Sequence, residues 1–175
     1  MKKEMPNDPT LPYGTAKGYV QSAYVLMASP LRYQVPNDTT FYLSFHMLCG
    51  FAAELYLKSF LMHKGFTEAQ VRTKELGHNL GKLYELAVAH GLSASGTDEL
   101  IKLLGEHHKN FGFRYLKPSS IYQTKNLVTV FSAFSSLDSV VDAAVGASVS
   151  RGVKPGGGWS FPSSGANWRL GEFAT

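Results

Sequence analysis

The sequence contains one cysteine and few charged residues for a chain of 175 residues. Cys49 lies in an apolar segment, and a single cysteine allows no internal disulfide. Charged residues make up 17% of the chain, against roughly a quarter in ordinary soluble domains. This scarcity predicts that a partner covers part of the apolar surface, most simply a second copy of the chain in a homodimer.

The sequence also lacks the motifs of several enzyme classes. The glycines at 156–158 are not followed by the Lys-Ser/Thr of a phosphate-binding loop, and no Gly-x-Ser-x-Gly occurs. His107 and His108 are adjacent, so on a helix they point about 100° apart and do not form a His-x3-His metal pair. We therefore expect no metal site and no cofactor.

No long uninterrupted apolar run is present. Lys2 and Lys3 are not followed by the apolar stretch of a signal peptide. The longest apolar segment, 41–62, is interrupted by Glu54 and Lys58, which makes it a poor membrane span. These features predict a cytoplasmic protein with no membrane partner. The net charge of +4 permits a polyanionic partner without requiring one.

What the sequence does contain is helical periodicity. The pattern predicts an all-α fold, an up-and-down bundle of four to five long helices with a short extra helical turn. Segment 40–64 is apolar nearly all the way round, as expected of a central helix. The other predicted helices lie at about 15–29, 79–89, 97–113 and 124–145, with a Thr67–Gln70 capping box starting the short turn and Thr97 capping its own helix.

The two ends of the chain differ from this helical middle. Residues 1–14 are rich in proline and predict an irregular N-terminal arm, followed by the bundle at 15–146. Residues 147–175 form an irregular C-terminal tail rich in glycine and proline. Its aromatic residues predict docking on the bundle or on a partner subunit: Trp159, Phe161, Trp168 and Phe173.

Glu54 and Lys58 are the polar residues that stand out in the central helix. Their i, i+4 spacing with Glu first is favourable for an ion pair on an exposed strip of the helix. Their neighbours are nearly all apolar, which favours the alternative that both project into a groove between helices. His78 at a helix start and Arg114 at a helix end are the candidates that complete such a groove, with Arg114 suited to holding a phosphate or carboxylate.

These residues resemble the motifs of the HEPN domain superfamily, helical bundles associated with nucleotide or RNA binding. The resemblance covers about residues 15–145. The matching positions are Ala53, Glu54, Lys58 and Leu61, then Gly77, His78 and Leu80, then Arg114 and Tyr115.

The resemblance implies a bundle that often dimerises. It also implies a partner such as a nucleotidyltransferase or an antitoxin, in a toxin–antitoxin or defence system. Many members are metal-independent ribonucleases that use an arginine followed, four to six residues later, by a histidine. Arg114 has no such histidine, whereas Arg72 and His78 have this spacing. Arg72 and Arg114 would then stabilise the phosphorane, His78 would transfer protons, and Lys58 would hold the adjacent phosphate.

Three functions are compatible with these patterns. The first is a non-catalytic domain that binds RNA or a nucleotide through Lys58, His78, Arg114 and Tyr115. In this interpretation Glu54, His107 and His108 form a structural polar network. The second is a metal-independent endoribonuclease with Arg72 and His78 as catalytic residues. The third is an interaction module without a ligand, whose polar residues only stabilise helix ends.

Overall fold

The computed structural model describes residues 7–29, 38–115, 121–123 and 125–152. Within these ranges the chain is helical and has no strand, which confirms the predicted all-α bundle. The elements are α1 (Thr10–Ala28), α2 (Asp38–His63), α3 (Glu68–Val71), α4 (Leu80–Ala89), α5 (Thr97–Lys109), α6 (Leu127–Val145) and a short 3-10 helix (Val149–Arg151).

α2 lies at the centre of the bundle. It packs against α1, α3, α4, α5 and α6. Large side chains from several of its faces are buried, among them Phe45, Tyr56 and Leu61. A polar side chain in the middle of α2 therefore has to find its partners inside the protein, because water does not reach it.

α1 begins five residues earlier than predicted, so residues 10–14 are helical and do not belong to an irregular arm. Pro12 falls in the first turn, where the backbone N–H has no partner within the helix and its absence costs little. Asp8 supports this start, since its Oδ1 accepts hydrogen bonds from the backbone N–H and the hydroxyl of Thr10 at 2.9 and 2.7 Å.

The ends of α5 also differ from the prediction. The helix stops at Lys109 rather than near Phe113, because Phe111 has a left-handed backbone with φ 54°. At the other end Gly96 occupies the N-cap position. The predicted capping hydroxyl of Thr97 is instead buried, without a hydrogen-bond partner among the described residues.

The short helix α3 has the predicted capping box, with the side chains of Thr67 and Gln70 each bonded to the other's backbone N–H. α6 begins at Leu127 rather than 124, and the Asn126 side chain caps it by accepting a bond from the N–H of Val128. The aromatic part of the tail, at 153–175, lies outside the described residues.

α6 is also the single helix among the described ranges that is long and apolar enough to cross a membrane. Of that segment, 44% is buried inside the bundle. The core helix of a bundle meets the same criteria, so this feature is weak evidence for a membrane span.

Candidate functional site

A buried carboxylate in the middle of α2 collects three basic side chains. Glu54 is 5% exposed, and its Oε1 accepts a hydrogen bond from Lys58 Nζ at 2.5 Å. Its Oε2 accepts from His78 Nδ1 at 2.9 Å and from His108 Nε2 at 2.7 Å. Lys58 is only 8% exposed, so the interpretation of this pair as an exposed surface strip is wrong.

The charge of Glu54 determines where the imidazole hydrogens lie. Burial by itself raises the pKa of Glu54, but hydrogen bonds from His108, Lys58 and His78 outweigh it and lower the pKa to about 2. An ionised carboxylate only accepts hydrogen bonds. The hydrogens therefore sit on Nδ1 of His78 and Nε2 of His108, and a neutral His78 keeps a free lone pair on Nε2.

Gly50 explains how His108 reaches this carboxylate. It lies one helical turn before Glu54 on α2, and a Cβ atom at this position would stand 2.4 Å from Nδ1 of His108. The ring of His108 also meets Phe51 edge-on, with centroids 5.2 Å apart. The absence of a side chain at residue 50 thus lets the imidazole lie against the backbone of α2.

A cavity of about 540 Å³ opens beside the carboxylate, between the start of α1, the middle of α2 and the segment from α3 to α4. It brings together three of the predicted site residues, Lys58, Arg72 and His78. The Arg72 side chain is 67% exposed and pairs with Glu68 at 2.7 Å. The remaining lining residues are Asp8, Leu11, Pro12, Thr15, Glu54, Leu55, Met62, Glu68, Val71 and Gly77.

Arg114 and Tyr115 do not lie in this cavity, which corrects the prediction of one groove containing Arg114. They line a separate depression with residues of α2, namely Leu43, Ser44, Met47 and Phe51, and with Phe113. The Arg114 guanidinium stacks over the ring of Phe111 at 4.2 Å, and that ring meets His78 at a centroid distance of 5.1 Å. Phe111 therefore separates Arg114 from the cavity.

The predicted polar network of Glu54, His107 and His108 is present in part. His108 bonds Glu54, but the Nε2–H of His107 donates to the carbonyl of Ile121 at 3.1 Å, away from the cluster. Sequence reasoning missed Gly50 as a site residue. Its signal was a glycine inside a helix that otherwise favours large side chains.

Comparisons of the chain with protein-family models, with curated proteins and with solved structures found no match. Two of the basic side chains that line the cavity, Lys58 and His78, are held in place by the buried carboxylate of Glu54, whereas Arg72 pairs with the exposed Glu68.

Proposed function

We propose that this protein is a HEPN-like helical domain that binds RNA or a nucleotide through a phosphate group in the cavity. The observation that carries the proposal is that Lys58 of α2 and Arg72 and His78 of the segment between α3 and α4 line one space of about 540 Å³. That volume is typical of small-molecule sites. Lys58 and Arg72 donate hydrogen bonds of the kind that phosphate oxygens accept, and His78 can donate from Nε2 when its ring is protonated.

The acidic residues in the same wall are already engaged. Glu54 accepts from three donors, and Asp8 accepts from Thr10 at the start of α1. Glu68 pairs with Arg72, but both side chains are more than half exposed, and such a pair contributes little. Arg72 therefore loses little free energy when it leaves Glu68 to bind a phosphate.

Lys58 is the best-positioned cation. Its ammonium carries three protons, and the bond to Glu54 uses one of them while fixing the side chain at the cavity wall. A cation held in place by a buried partner loses little side-chain entropy when a ligand binds. The Glu54–Lys58 pair thus positions the Lys58 ammonium at the cavity wall and leaves two of its protons available to a ligand.

Binding of a short fluorescent single-stranded RNA in EDTA tests this proposal. We expect Arg72→Gln and His78→Gln each to weaken binding by about tenfold, as for loss of one charged hydrogen bond. Affinity should fall with salt, and the slope of log affinity against log salt should become less negative by roughly 0.7 for each phosphate contact removed. Lys102→Gln, an exposed lysine paired with Asp98, is the matched control and should bind as wild type. Equal binding by all three variants, or a slope near zero, contradicts the proposal.

The His78–Glu54 hydrogen bond favours a second candidate, a metal-independent endoribonuclease. With Nδ1–H held by the carboxylate, Nε2 of His78 can take the proton of an RNA 2′-hydroxyl. The 2′-oxygen then bonds to phosphorus and the bond to the 5′-oxygen breaks, giving a cyclic phosphate and a 5′-hydroxyl that receives a proton. Lys58 and Arg72 would stabilise the charge on the phosphorane.

Incubation of structured RNA with the protein in EDTA tests this candidate. Cleavage should disappear in His78→Gln, persist in His107→Gln and require a 2′-hydroxyl at the cleaved position. Absence of cleavage by the wild-type protein, together with retained RNA affinity, leaves the binding function as the correct one.

We also propose a homodimer in the cytoplasm with a nucleotidyltransferase or antitoxin partner. The low charged fraction and the exposed apolar residues Leu11, Val25 and Ile121 support the dimer. A monomeric mass by light scattering at micromolar concentration contradicts it. A neighbouring gene that encodes a nucleotidyltransferase or an antitoxin would support the proposed partner.

A further inference from the structure

We propose that Glu54, His78 and His108 form a binding site for a divalent transition-metal ion, with zinc as the best-suited metal. One ligand atom from each residue lies within 4.8 Å of the other two. The three residues come from α2, from the segment before α4 and from α5. The inference goes beyond the proposed phosphate site and does not depend on it: the two share His78, but the ion would be held by Glu54 and the two imidazoles rather than by Lys58 and Arg72.

The donor set suits zinc rather than magnesium or calcium. Two imidazole nitrogens and one carboxylate oxygen are the three protein ligands typical of zinc sites that keep an open position. Magnesium and calcium prefer all-oxygen sets. Nδ1 of His78 and Nε2 of His108 both already point at Oε2 of Glu54, at 2.9 and 2.7 Å. Zinc bonds of about 2.0–2.2 Å require these atoms to separate slightly around the ion.

Two of the three ligands are fixed before any metal arrives. Glu54 and His108 are buried, at 5% and 4% exposure, and His108 is held between Phe51 and the backbone at Gly50. His78 has a 45% exposed side chain that lines the cavity, so it can rotate to admit an ion. The cavity then offers the fourth coordination position to water or to an anion.

The imidazole hydrogens and the charge of Lys58 both affect how the site binds a metal ion. To bind the ion, each neutral imidazole moves its hydrogen to its other ring nitrogen, so that Nδ1 of His78 and Nε2 of His108 offer lone pairs. Lys58 opposes the ion, since it holds Oε1 of the same carboxylate and carries a positive charge. Removing the Lys58 charge should therefore strengthen metal binding, whereas it should weaken phosphate binding.

Titration of the metal-free full chain with zinc, in a buffer without phosphate, tests the proposal. We expect one zinc ion per chain by calorimetry. Cobalt(II) in its place should give the visible absorption of a four-coordinate ion. His78→Gln and His108→Gln should each lower the affinity by about 100-fold or more, since even residues that only orient metal ligands contribute 10–100-fold. His107→Gln is the matched control, because its ring faces Ile121 instead, and it should bind as wild type.

Lys58→Met supplies an independent readout that does not depend on losing a ligand. It should raise zinc affinity by about tenfold or more and lower RNA affinity measured in EDTA. This opposite response separates the two sites experimentally. Failure of RNA binding with intact zinc binding refutes only the phosphate proposal, and the reverse result refutes only the metal site.

Three outcomes overturn the metal site. These are no stoichiometric zinc binding by the wild-type chain, equal loss of affinity in His107→Gln and His108→Gln, and unchanged or weaker zinc binding in Lys58→Met. Circular dichroism of each variant establishes that it is folded, and His78→Gln, at a half-exposed position, keeps the test valid if His108→Gln unfolds.

Discussion

Two buried carboxylates, Glu54 and Asp138, are satisfied in different ways, and the difference separates a site from a scaffold. Asp138 is 2% exposed on α6. Its Oδ1 accepts hydrogen bonds from the hydroxyls of Tyr13 and Tyr56 at 2.9 and 2.8 Å, and Lys17 stands 3.6 Å from Oδ2. These contacts join α1, α2 and α6, whereas the contacts of Glu54 join α2, α5 and the segment before α4.

The partners of Asp138 hold their protons firmly. Burial, and then the charge of Asp138, raises the pKa of both Tyr13 and Tyr56 far above the usual range of tyrosine. The partners of Glu54 are instead a lysine and two histidines. Glu54, Lys58 and His78 also line a cavity. The Asp138 cluster thus lies in a closed core, whereas the Glu54 cluster holds Lys58 and His78 beside the open space in which we propose that a ligand binds.

Breaking the closed cluster should have the largest effect on stability. Asp138→Leu leaves two buried tyrosine hydroxyls without an acceptor, and we expect a loss of about 4 kcal/mol in the free energy of unfolding. Urea denaturation measures it. Asp138→Asn keeps an acceptor oxygen and should lose much less, so equal losses in the two variants would contradict this account.

Breaking the open cluster should be somewhat less damaging. Glu54→Gln keeps the shape of the side chain but leaves Lys58 buried without a counter-charge, and we expect a loss of about 3 kcal/mol. The double variant Glu54→Gln, Lys58→Met removes that unpaired charge and should recover part of the loss. Absence of recovery would show that the destabilisation has another origin.

His46 extends the comparison to a histidine that is buried and has no carboxylate among its contacts in the described part of the chain. It is 1% exposed and stacks on Phe113, and burial lowers its pKa to about 4. Between pH 6.5 and 4 the unfolded chain binds a proton at this residue and the folded chain does not. The contribution of His46 to the free energy of unfolding is therefore fully present above this range and is lost as the pH decreases through it. We expect His46 to account for about 2 kcal/mol of loss between pH 7 and 5. Unfolding of His46→Phe should show a correspondingly flatter pH dependence, and RNA binding should stay unchanged.

Gly50 tests the position of His108 without touching a hydrogen-bonding group. Gly50→Ala places a methyl group on the ring of His108, and we expect a loss of about 1.5 kcal/mol despite the better helix propensity of alanine. Gly105→Ala is the control, because nothing lies within 4 Å of a Cβ there and it should gain roughly 0.5–1 kcal/mol. Equal responses in thermal denaturation would contradict the close approach.

The smallest effect should come from the cavity mouth. Arg72→Gln removes an exposed i, i+4 pair with Glu68, and we expect less than about 0.5 kcal/mol of change in stability. Any loss of RNA affinity in this variant therefore reports a direct contact. A large drop in melting temperature would show that Arg72 belongs to the scaffold.

The bundle and its central helix were predictable because apolar periodicity is a local property of the sequence. The Glu54–Lys58 pair was predictable for the same reason. The bond between Glu54 and His108 spans 54 residues and depends on how α5 packs on α2, which periodicity does not encode. Arg114 was misplaced because Phe111 adopts a left-handed backbone and turns the chain away, and such a conformation in a bulky residue has no sequence signal.

The empty position at Gly50 also has an evolutionary consequence. A side chain at residue 50 and an imidazole at residue 108 compete for the same space, so a change at one position costs less stability when the other position changes as well. In relatives of this chain, a larger residue at 50 should accompany a smaller residue at 108 and the loss of the carboxylate at 54. A substitution pattern among three positions would then record whether a lineage has kept the site.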